Sequence, residues 1–248
     1  TNYGEIGGIW FDGEWDQFKW DGKRFGEPMA DFKLAEVYSL IHKLQPQALI
    51  GSNHHLAPNP GEDFQMFEKD LPGRSTKSFA TSADDIGNLP LEVCETINGS
   101  WGFNLKDRKH KSKKELVQYL IKAAGYDSNL LLNVGPMPNG KIQKEHIKSL
   151  KEIGDWVKIN GETIYGTSRG PIDPTDEIAS TQKDNTIYIH LLDNRRTYFI
   201  EGYNPKIKKI SYYHSNKKVK YEKTKSGLII NVDDNELDEI DTIIELEI

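Results

Sequence analysis

The sequence predicts an α/β fold with parallel strands, followed by a small antiparallel β-sandwich. In the first part short apolar strands alternate with amphipathic helices, and the segment from Leu130 to Pro136 is apolar on both faces, as buried parallel strands are. From Thr186 onward the pattern changes to short strands of alternating apolar and polar residues, separated by Asp-Asn, Asn-Pro and Ser-Asn turns. Such strands with regular turns are typical of two packed sheets.

The opening strand ends in an acid. Ile9, Trp10 and Phe11 favour a β-strand, Asp12 follows them directly, and Gly13 allows the backbone to turn. In a parallel α/β barrel, a carboxylate at the C-terminal end of a strand lies at the face that carries the chemistry. The alternative is an aspartate that only caps the turn, which is a common role before glycine.

The loop after this strand, from Glu14 to Phe25, holds two tryptophans, Trp15 and Trp20. Loops that follow barrel strands line the active site. The tryptophan pair is therefore either a platform for a sugar ring or a cover over the rim of the barrel.

A second helix and strand follow this loop. The pattern predicts a helix from Ala30 to Leu44 and a buried strand from Ala48 to Gly51. Residues 53–68 are then predicted to form a long loop rich in ionisable groups, and a long loop in a compact domain is commonly functional. Its neighbouring histidines, His54 and His55, lack the spacing and the cysteine partners of a metal site, which argues against metal binding.

Further strands and helices are predicted before residue 170. They are strands at Leu91–Ile97 and Leu130–Pro136, a weaker strand at Lys77–Thr81, and helices at Ser112–Ala124 and Gln143–Ile159. Ser112 and Glu115 match a capping box at the start of the first of these helices. The Gly- and Pro-containing segment 170–174 indicates a domain edge, which predicts domains over residues 1–170 and 171–248.

Composition narrows the possible functions. The chain has 248 residues and a net charge of -6 with no basic block, which argues against nucleic-acid binding. No apolar run approaches the roughly 20 residues that span a bilayer.

The single cysteine, Cys94, excludes an internal disulfide and leaves the redox compartment open. Because the chain starts at Thr1 and its first methionine is Met29, a processed product, a truncated chain or a fragment is expected.

Four stretches, taken together and in order, resemble one enzyme family. They are Gly-Gly-Ile-Trp-Phe-Asp-Gly at 7–13, Glu-Asp-Phe-Gln-Met-Phe-Glu at 62–68, Glu-Val-Cys-Glu-Thr-Ile-Asn-Gly-Ser-Trp-Gly-Phe at 92–103 and Asn-Leu-Leu-Leu-Asn-Val-Gly-Pro at 129–136. With them the chain resembles the retaining α-L-fucosidases of glycoside hydrolase family 29. The resemblance covers the whole chain. It implies a TIM-like (β/α)8 barrel, of which residues 1–170 would be the C-terminal half, followed by the β-sandwich.

The resemblance also implies roles for individual residues. Asp12 is implied as the nucleophile and Glu68 as the acid/base that the double displacement of a retaining glycosidase requires. Trp101 is implied as a residue that packs beside the fucose, and Trp15 and His55 are further candidates for substrate binding. Glu62, Asp63 and Glu95 are the alternative acids should Glu68 not be the acid/base. Where many relatives have a tyrosine, this chain has Phe103. This scheme implies no metal and no organic cofactor.

One departure from the family is large, because here the nucleophile strand opens the chain. About five barrel strands are predicted against the eight of a complete barrel. Since an open parallel sheet exposes an edge and apolar surface, a complementing N-terminal segment or a homo-oligomer is expected to cover it.

Three functions follow from the sequence. The first is an exo-acting α-L-fucosidase that removes terminal fucose from glycans, and the second is a non-catalytic carbohydrate-binding protein or inactive remnant. The third is a glycosidase of similar barrel type that acts on another sugar. A fucosylated glycan is the expected partner, with neither nucleic acid nor membrane, and a periplasmic or extracellular location is expected because relatives that trim host glycans are often exported.

Overall fold

The computed structural model describes residues 3–13, 18–20, 25–28, 30–54, 57–74 and 86–248, with the main chain only for 18–20 and 25–28. The chain divides into two compact units, one of Thr1–Glu95 with Ser128–Leu131 and one of Thr96–Asp127 with Leu132–Ile248. The domain boundary near residue 170 stays a prediction. Among the described helices, none combines the length and the apolar character that crossing a membrane requires.

Parallel strand pairs organise the first unit. Strand β1 (Gly8–Phe11) pairs in parallel with β4 (Leu49–Ser52), so that Phe11 lies beside Ser52 at the carboxyl ends of both strands. Helix α1 (Leu34–Leu44) lies between them in sequence. A short antiparallel hairpin of β2 (Phe18–Trp20) and β3 (Phe25–Pro28) also precedes this helix.

A second sheet of three strands has the order β5-β6-β7. Strand β5 (Gln65–Glu68) pairs in parallel with β6 (Leu91–Thr96), which places Glu68 opposite Cys94. Strand β7 (Ser128–Asn133) completes the sheet. Besides the β2–β3 hairpin, these described strands thus form two separate sheets of two and three strands, and a closed barrel stays a prediction.

Some predicted elements of the first unit differ in the structure. The segment predicted as a loop from Glu14 to Phe25 contains β2 and the first residue of β3, and the strand predicted at Leu130–Pro136 is β7, Ser128–Asn133. Helix α1 begins at Leu34 rather than Ala30, because Lys33 adopts a left-handed conformation with a φ of 55° and its N–H donates to the Asp31 carboxylate. Strand β5 lies inside the segment predicted as a loop, where its pairing with β6 outweighs the weak local signal of four residues. The strand predicted at residues 77–81 lies outside the described residues.

The second unit begins with helices and continues with antiparallel strands. Helix α2 (Lys113–Gly125) starts with the predicted capping box, in which the Ser112 side chain accepts from the Glu115 N–H and the Glu115 carboxylate accepts from the Ser112 N–H. Helix α3 (Lys144–Asn160) follows, close to its predicted bounds. The remaining strands are β8 (Ser168–Arg169), β9 (Ile178–Lys183), β10 (Thr186–Leu191), β11 (Thr197–Glu201), β12 (Lys209–Tyr212), β13 (Lys220–Thr224), β14 (Gly227–Asn231) and β15 (Thr242–Glu247).

These strands form two antiparallel sheets with the orders β12-β15-β10-β9-β8 and β11-β14-β13. Ile187, Ile189 and Leu191 of β10 lie in one core with Ile200 and Ile230 of the smaller sheet. This confirms the sandwich-like arrangement predicted from their alternation. The opposite face of β10 contributes to a second core, which it shares with α2 and α3. The central strand is therefore buried on both faces.

Candidate active site

Asp12 lies directly after β1, at the carboxyl end of the parallel pair. Its Oδ1 accepts a hydrogen bond of 2.9 Å from the N–H of Gly13. Gly13 has a φ of +86°, a left-handed conformation that glycine adopts without a steric penalty. The turn that the sequence predicted is therefore present, and the carboxylate stays exposed at the end of the strand.

One amide joins Asp12 to Glu68. The Nδ2 of Asn53, the residue that follows β4, lies 3.2 Å from Asp12 Oδ1 and 2.9 Å from Glu68 Oε2. Because a shared nitrogen connects them, these two carboxylate oxygens are at most about 6 Å apart. The structure thus brings together two residues that are far apart in sequence and come from different sheets.

Further carboxylates surround the buried thiol of Cys94. Burial, and then the charges of Glu68, Glu92, Asp12 and Glu95, raise the pKa of Cys94 to about 12. The thiol therefore stays protonated at neutral pH, which argues against a nucleophilic role for it. Cys94 pairs with Glu68 across the two strands, so its side chain lies on the same face of the sheet as that of Glu68.

Glu92 is a candidate that sequence reasoning missed. It precedes Cys94 by two positions in β6, so both side chains point to the same face of the sheet. Burial raises the pKa of Glu92, and a hydrogen bond of 3.3 Å from Trp10 Nε1 partly opposes that rise. The sequence does show that Glu92 and Cys94 are two positions apart in a strand. That spacing indicates an acid near Glu68 only once the pairing of β6 with β5 is known.

The alternative acids named from the sequence have other surroundings. Glu62 is buried, with its Oε1 3.2 Å from the Tyr38 hydroxyl and 2.9 Å from His54 Nε2. The Oδ2 of Asp63 accepts from the Ile50 N–H at 2.8 Å and lies 2.9 Å from His42 Nε2. Both carboxylates are thus engaged in contacts that tie the loop to α1 and β4. Glu95 is buried in β6 and contributes to the field around Cys94.

The predicted substrate-binding residues fall in different parts of the chain. Trp101 lies in the second unit with 37% of its surface exposed. Its carbonyl accepts a hydrogen bond of 2.7 Å from Asn133 Nδ2, which connects two of the family-like stretches. Trp15 and His55 lie outside the described residues.

A pocket of about 320 Å³ opens beside Asp12. Its polar lining includes Asp12 and Ser52. The rest of its wall is mainly apolar and is formed by Phe11, Phe32, Leu34 and Val37. This is near the lower end of the roughly 300–1,000 Å³ typical of small-molecule sites. Within the described part of the chain, no three His, Cys, Asp or Glu side chains converge as they would around a metal ion.

Comparisons with known proteins identify relatives of one kind. The profile of a protein family described as Alpha-L-fucosidase matches residues 1–162. Plasma alpha-L-fucosidase of Homo sapiens is 29% identical over 161 residues, which cover 54% of this chain and 34% of that protein. An alpha-L-fucosidase of Branchiostoma floridae is 26% identical over 207 residues, which cover 71% of this chain and 45% of that protein.

A solved structure matches over the full chain. Alpha-L-fucosidase isoenzyme 1 from Paenibacillus thiaminolyticus superposes with a TM-score of 0.74 at 30% identity, over 100% of this chain and 59% of that one. The chain thus spans about a third of the length of the plasma enzymes that it matches.

Proposed function

The chain belongs to the alpha-L-fucosidase family, a family of glycoside hydrolases, and from that premise we propose that it hydrolyses terminal α-L-fucose from glycans with retention of configuration. Asp12 is the proposed nucleophile and Glu68 the proposed acid/base. The observation that supports this most directly is the amide of Asn53, which lies within hydrogen-bond distance of both carboxylates. The two facing oxygens, Asp12 Oδ1 and Glu68 Oε2, are at most about 6 Å apart, an upper limit that lies below the ~6.5–9.5 Å of inverting enzymes and allows the ~5–5.5 Å of retaining ones.

The proposed reaction has two displacements. A carboxylate oxygen of Asp12 attacks the anomeric carbon while the bond to the leaving oxygen breaks, and Glu68 gives its proton to that oxygen. Glu68 then takes a proton from water, the water oxygen attacks the same carbon, and the ester bond to Asp12 breaks. Fucose leaves, Asp12 is again a carboxylate and Glu68 again holds a proton.

Glu92 is the competing candidate for the acid/base. A general acid must hold a proton near neutral pH, and burial moves the pKa of Glu92 in that direction. Glu68 is instead favoured by geometry, because the amide of Asn53 connects it to the proposed nucleophile. The two roles can be separated kinetically, since only the acid/base must protonate the leaving group.

The test is hydrolysis of two aryl α-L-fucosides, one with an acidic phenol and one with a weakly acidic phenol as the leaving group. Asp12→Ala should abolish turnover of both. The variant that removes the acid/base should lose about 10²–10⁴-fold on the poor leaving group and much less on the good one. It should also form fucosyl azide when azide is added, because azide needs no general base. Glu68→Gln is expected to behave in this way and Glu92→Gln is not.

Asp155→Asn is the matched control, since Asp155 is an exposed carboxylate of α3 whose contact is a surface ion pair with Lys158. It should hydrolyse both substrates like the wild type. If Glu92→Gln alone shows the leaving-group dependence and the azide product, the acid/base role belongs to Glu92. Wild-type turnover that survives Asp12→Ala would overturn the assignment of the nucleophile.

A partner that extends the first sheet is also part of the proposal. Among the described residues β1 pairs with β4 alone, and Trp10 of β1 and Leu49 of β4 are 39% and 54% exposed. A parallel strand with exposed apolar side chains is unfavourable, so we propose that a complementing N-terminal barrel segment or a second copy covers it. Light scattering tests this, because a stable, folded and active monomer without a second fragment would contradict it.

The second candidate function is carbohydrate binding without catalysis. It is supported by the mainly apolar pocket beside Asp12, because such a pocket can hold a sugar ring by contact alone, whether or not a reaction follows. Fucose binding measured by calorimetry, together with no turnover of either aryl fucoside in the folded protein, is the result that would select it.

A further inference from the structure

Asn53 faces both proposed reacting carboxylates and is almost fully buried, with 2% of its surface exposed. An amide nitrogen carries two hydrogens, so each carboxylate can receive one of them. In the opposite orientation, the carbonyl oxygen of the amide would face two carboxylate oxygens, which would be repulsive. The hydrogen-bond partners therefore assign the nitrogen to the side that faces Asp12 and Glu68. Asn53 is therefore a donor to Asp12 and to Glu68.

The backbone of Asn53 is attached to the end of β1. Its N–H donates to the carbonyl of Phe11, the residue before Asp12, at 2.9 Å. The amide side chain and the backbone N–H of one residue thus contact two consecutive residues, Phe11 and Asp12. Such a double attachment fixes the distance between the end of β4 and the proposed nucleophile.

A buried polar network holds the next residue in place. His54 follows Asn53, and its Nε2 lies 2.9 Å and 3.2 Å from the two carboxylate oxygens of Glu62. The Tyr38 hydroxyl of α1 donates to the same carboxylate at 3.2 Å. The side chains of all three residues are buried, and a buried network whose hydrogen bonds are made restricts the conformations of its members.

We propose that Asn53 is a positioning residue that sets the separation and orientation of Asp12 and Glu68, and that the Tyr38–Glu62–His54 network holds Asn53 in place. This rests on the proposed function, because the two carboxylates are the reacting pair of that function. Two carboxylates that share a site repel one another. One amide donating to both offsets the repulsion and keeps the pair at the spacing that attack and proton transfer require.

Removal of the amide should reduce the rate more than the binding of substrate. In Asn53→Ala the carboxylates are no longer held, and a displacement of about 1 Å between reacting groups costs on the order of 100-fold in rate. The value of kcat should fall about 10- to 100-fold, whereas KM should change little, since Asn53 acts through the carboxylates. In a crystal structure of the variant the separation of Asp12 and Glu68 should differ from that in the wild type, because no shared donor holds the two carboxylates.

Asn53→Asp is the isosteric companion. It replaces the donor by a third carboxylate of the same shape, so its loss of kcat should exceed that of Asn53→Ala at neutral pH. Glu62→Gln should give a smaller loss in the same direction, because it weakens the contact with His54 and leaves Asn53 itself intact.

The matched control is Asn160→Ala, which removes another buried asparagine whose amide donates to the Trp156 carbonyl at 3.0 Å. This variant should unfold at a lower temperature and keep the wild-type kcat. The experiment compares kcat, KM and the unfolding temperature of all variants, and crystal structures of the wild type and Asn53→Ala measure the separation of the Asp12 and Glu68 carboxylates.

The outcomes separate the two proposals. A fall in kcat with little change in KM in Asn53→Ala, absent from Asn160→Ala, supports the positioning role. An unchanged kcat in Asn53→Ala overturns it while the fucosidase function stands. If the wild type shows no turnover, the proposed function fails, and the positioning role is then judged by the crystal structures: a changed separation of the two carboxylates in Asn53→Ala supports it, and an unchanged separation overturns it.

Discussion

At the scale of single residues, burial raises the pKa of Glu92 and the indole of Trp10 partly opposes that rise. Its Nε1–H donates to the Glu92 carboxylate and lowers the pKa that burial raises. Trp10→Phe removes the donor and keeps most of the aromatic surface, so the pKa of Glu92 should rise further. Carbon-13 titration of Glu92 in the wild type and the variant measures this. A midpoint that stays in place or falls would show that the indole does not donate to the charged form.

The same variant reports on the acid/base assignment. If Glu92 is the general acid, the basic limb of the pH–rate profile in Trp10→Phe moves to higher pH with the midpoint of Glu92. If Glu68 is the general acid, the limb stays where it is. Tyr165→Phe, a change at an exposed aromatic residue, is the control and should leave both the limb and the midpoint unchanged.

Single residues also show what the sequence can and cannot reveal about the site. Asp12 was identifiable because its neighbours form a strand, an acid and a turn within a few positions. Asn53 was not, because its role depends on contacts with Asp12 and Glu68, which lie 41 and 15 positions away from it in the sequence. The assignment of roles to Asp12 and Glu68 came from family resemblance and stays a prediction, and Trp15 and His55 lie outside the described residues.

At the scale of elements, Gly135 lets the loop after β7 approach the loop after β6. A Cβ at Gly135 would lie 2.6 Å from the Gly102 carbonyl carbon and 2.6 Å from the Phe103 nitrogen. Gly135→Ala should therefore displace that backbone next to Trp101 and cost about 1–3 kcal/mol of unfolding free energy. If Trp101 packs beside the sugar, KM for an aryl fucoside should rise as well. Urea denaturation and steady-state kinetics are the measurements.

Gly154 of α3 supplies the matched glycine control. Apart from its chain neighbours and the nearby backbone of its own helix, no atom lies within 4 Å of a Cβ built on it, and it lies in a helix interior. Gly154→Ala should therefore stabilise the protein by about 0.5–1 kcal/mol and leave KM unchanged. Equal effects of the two substitutions would show that the close approach at Gly135 is not what determines stability.

Elements with local signals were predicted best. The capping box defined the start of α2, and alternation defined which face of β10 joins the sandwich core. The short strand β5 was missed because four residues carry little periodicity and its pairing partner β6 lies over 20 residues further along the chain. The start of α1 was misplaced because the left-handed conformation of Lys33 leaves no mark in the hydrophobic pattern.

At the scale of the whole molecule, the helices and the sandwich sheet of the second unit share a continuous interior. Val117 and Ile121 of α2 and Trp156 of α3 pack with Tyr188 and Leu192 in one core. Gln118 of α2 adds hydrogen bonds from its Nε2 to the carbonyls of Leu192 and Ile240, the latter at 2.7 Å. A composition change near residue 170 could not reveal this packing, because it depends on faces that meet only in the folded chain.

A buried acid in this unit links stability to pH. Asp241 Oδ2 lies 2.7 Å from His190 Nδ1, and both side chains are fully buried. Burial raises the pKa of Asp241, and the neighbouring His190 opposes that rise; Asp238 and His214 also act on it, the first raising and the second lowering the pKa. The pKa of Asp241 is therefore higher in the folded protein than in the unfolded chain. Its contribution to stability is fully present at a pH below the unfolded-state pKa, and it is lost as the pH rises through the folded-state pKa.

Asp241→Asn should therefore become more stable relative to the wild type as the pH rises above about 4. The amide oxygen can still accept from His190 Nδ1, and no charge has to be buried, so a gain on the order of 1 kcal/mol is expected at neutral pH. Urea midpoints of both proteins at acidic and neutral pH measure the difference, with Asp155→Asn as an exposed control that should show none. A variant that is less stable than the wild type at neutral pH, and not at acidic pH, would mean that the buried pair is ionised and that its attraction exceeds the cost of burying both charges.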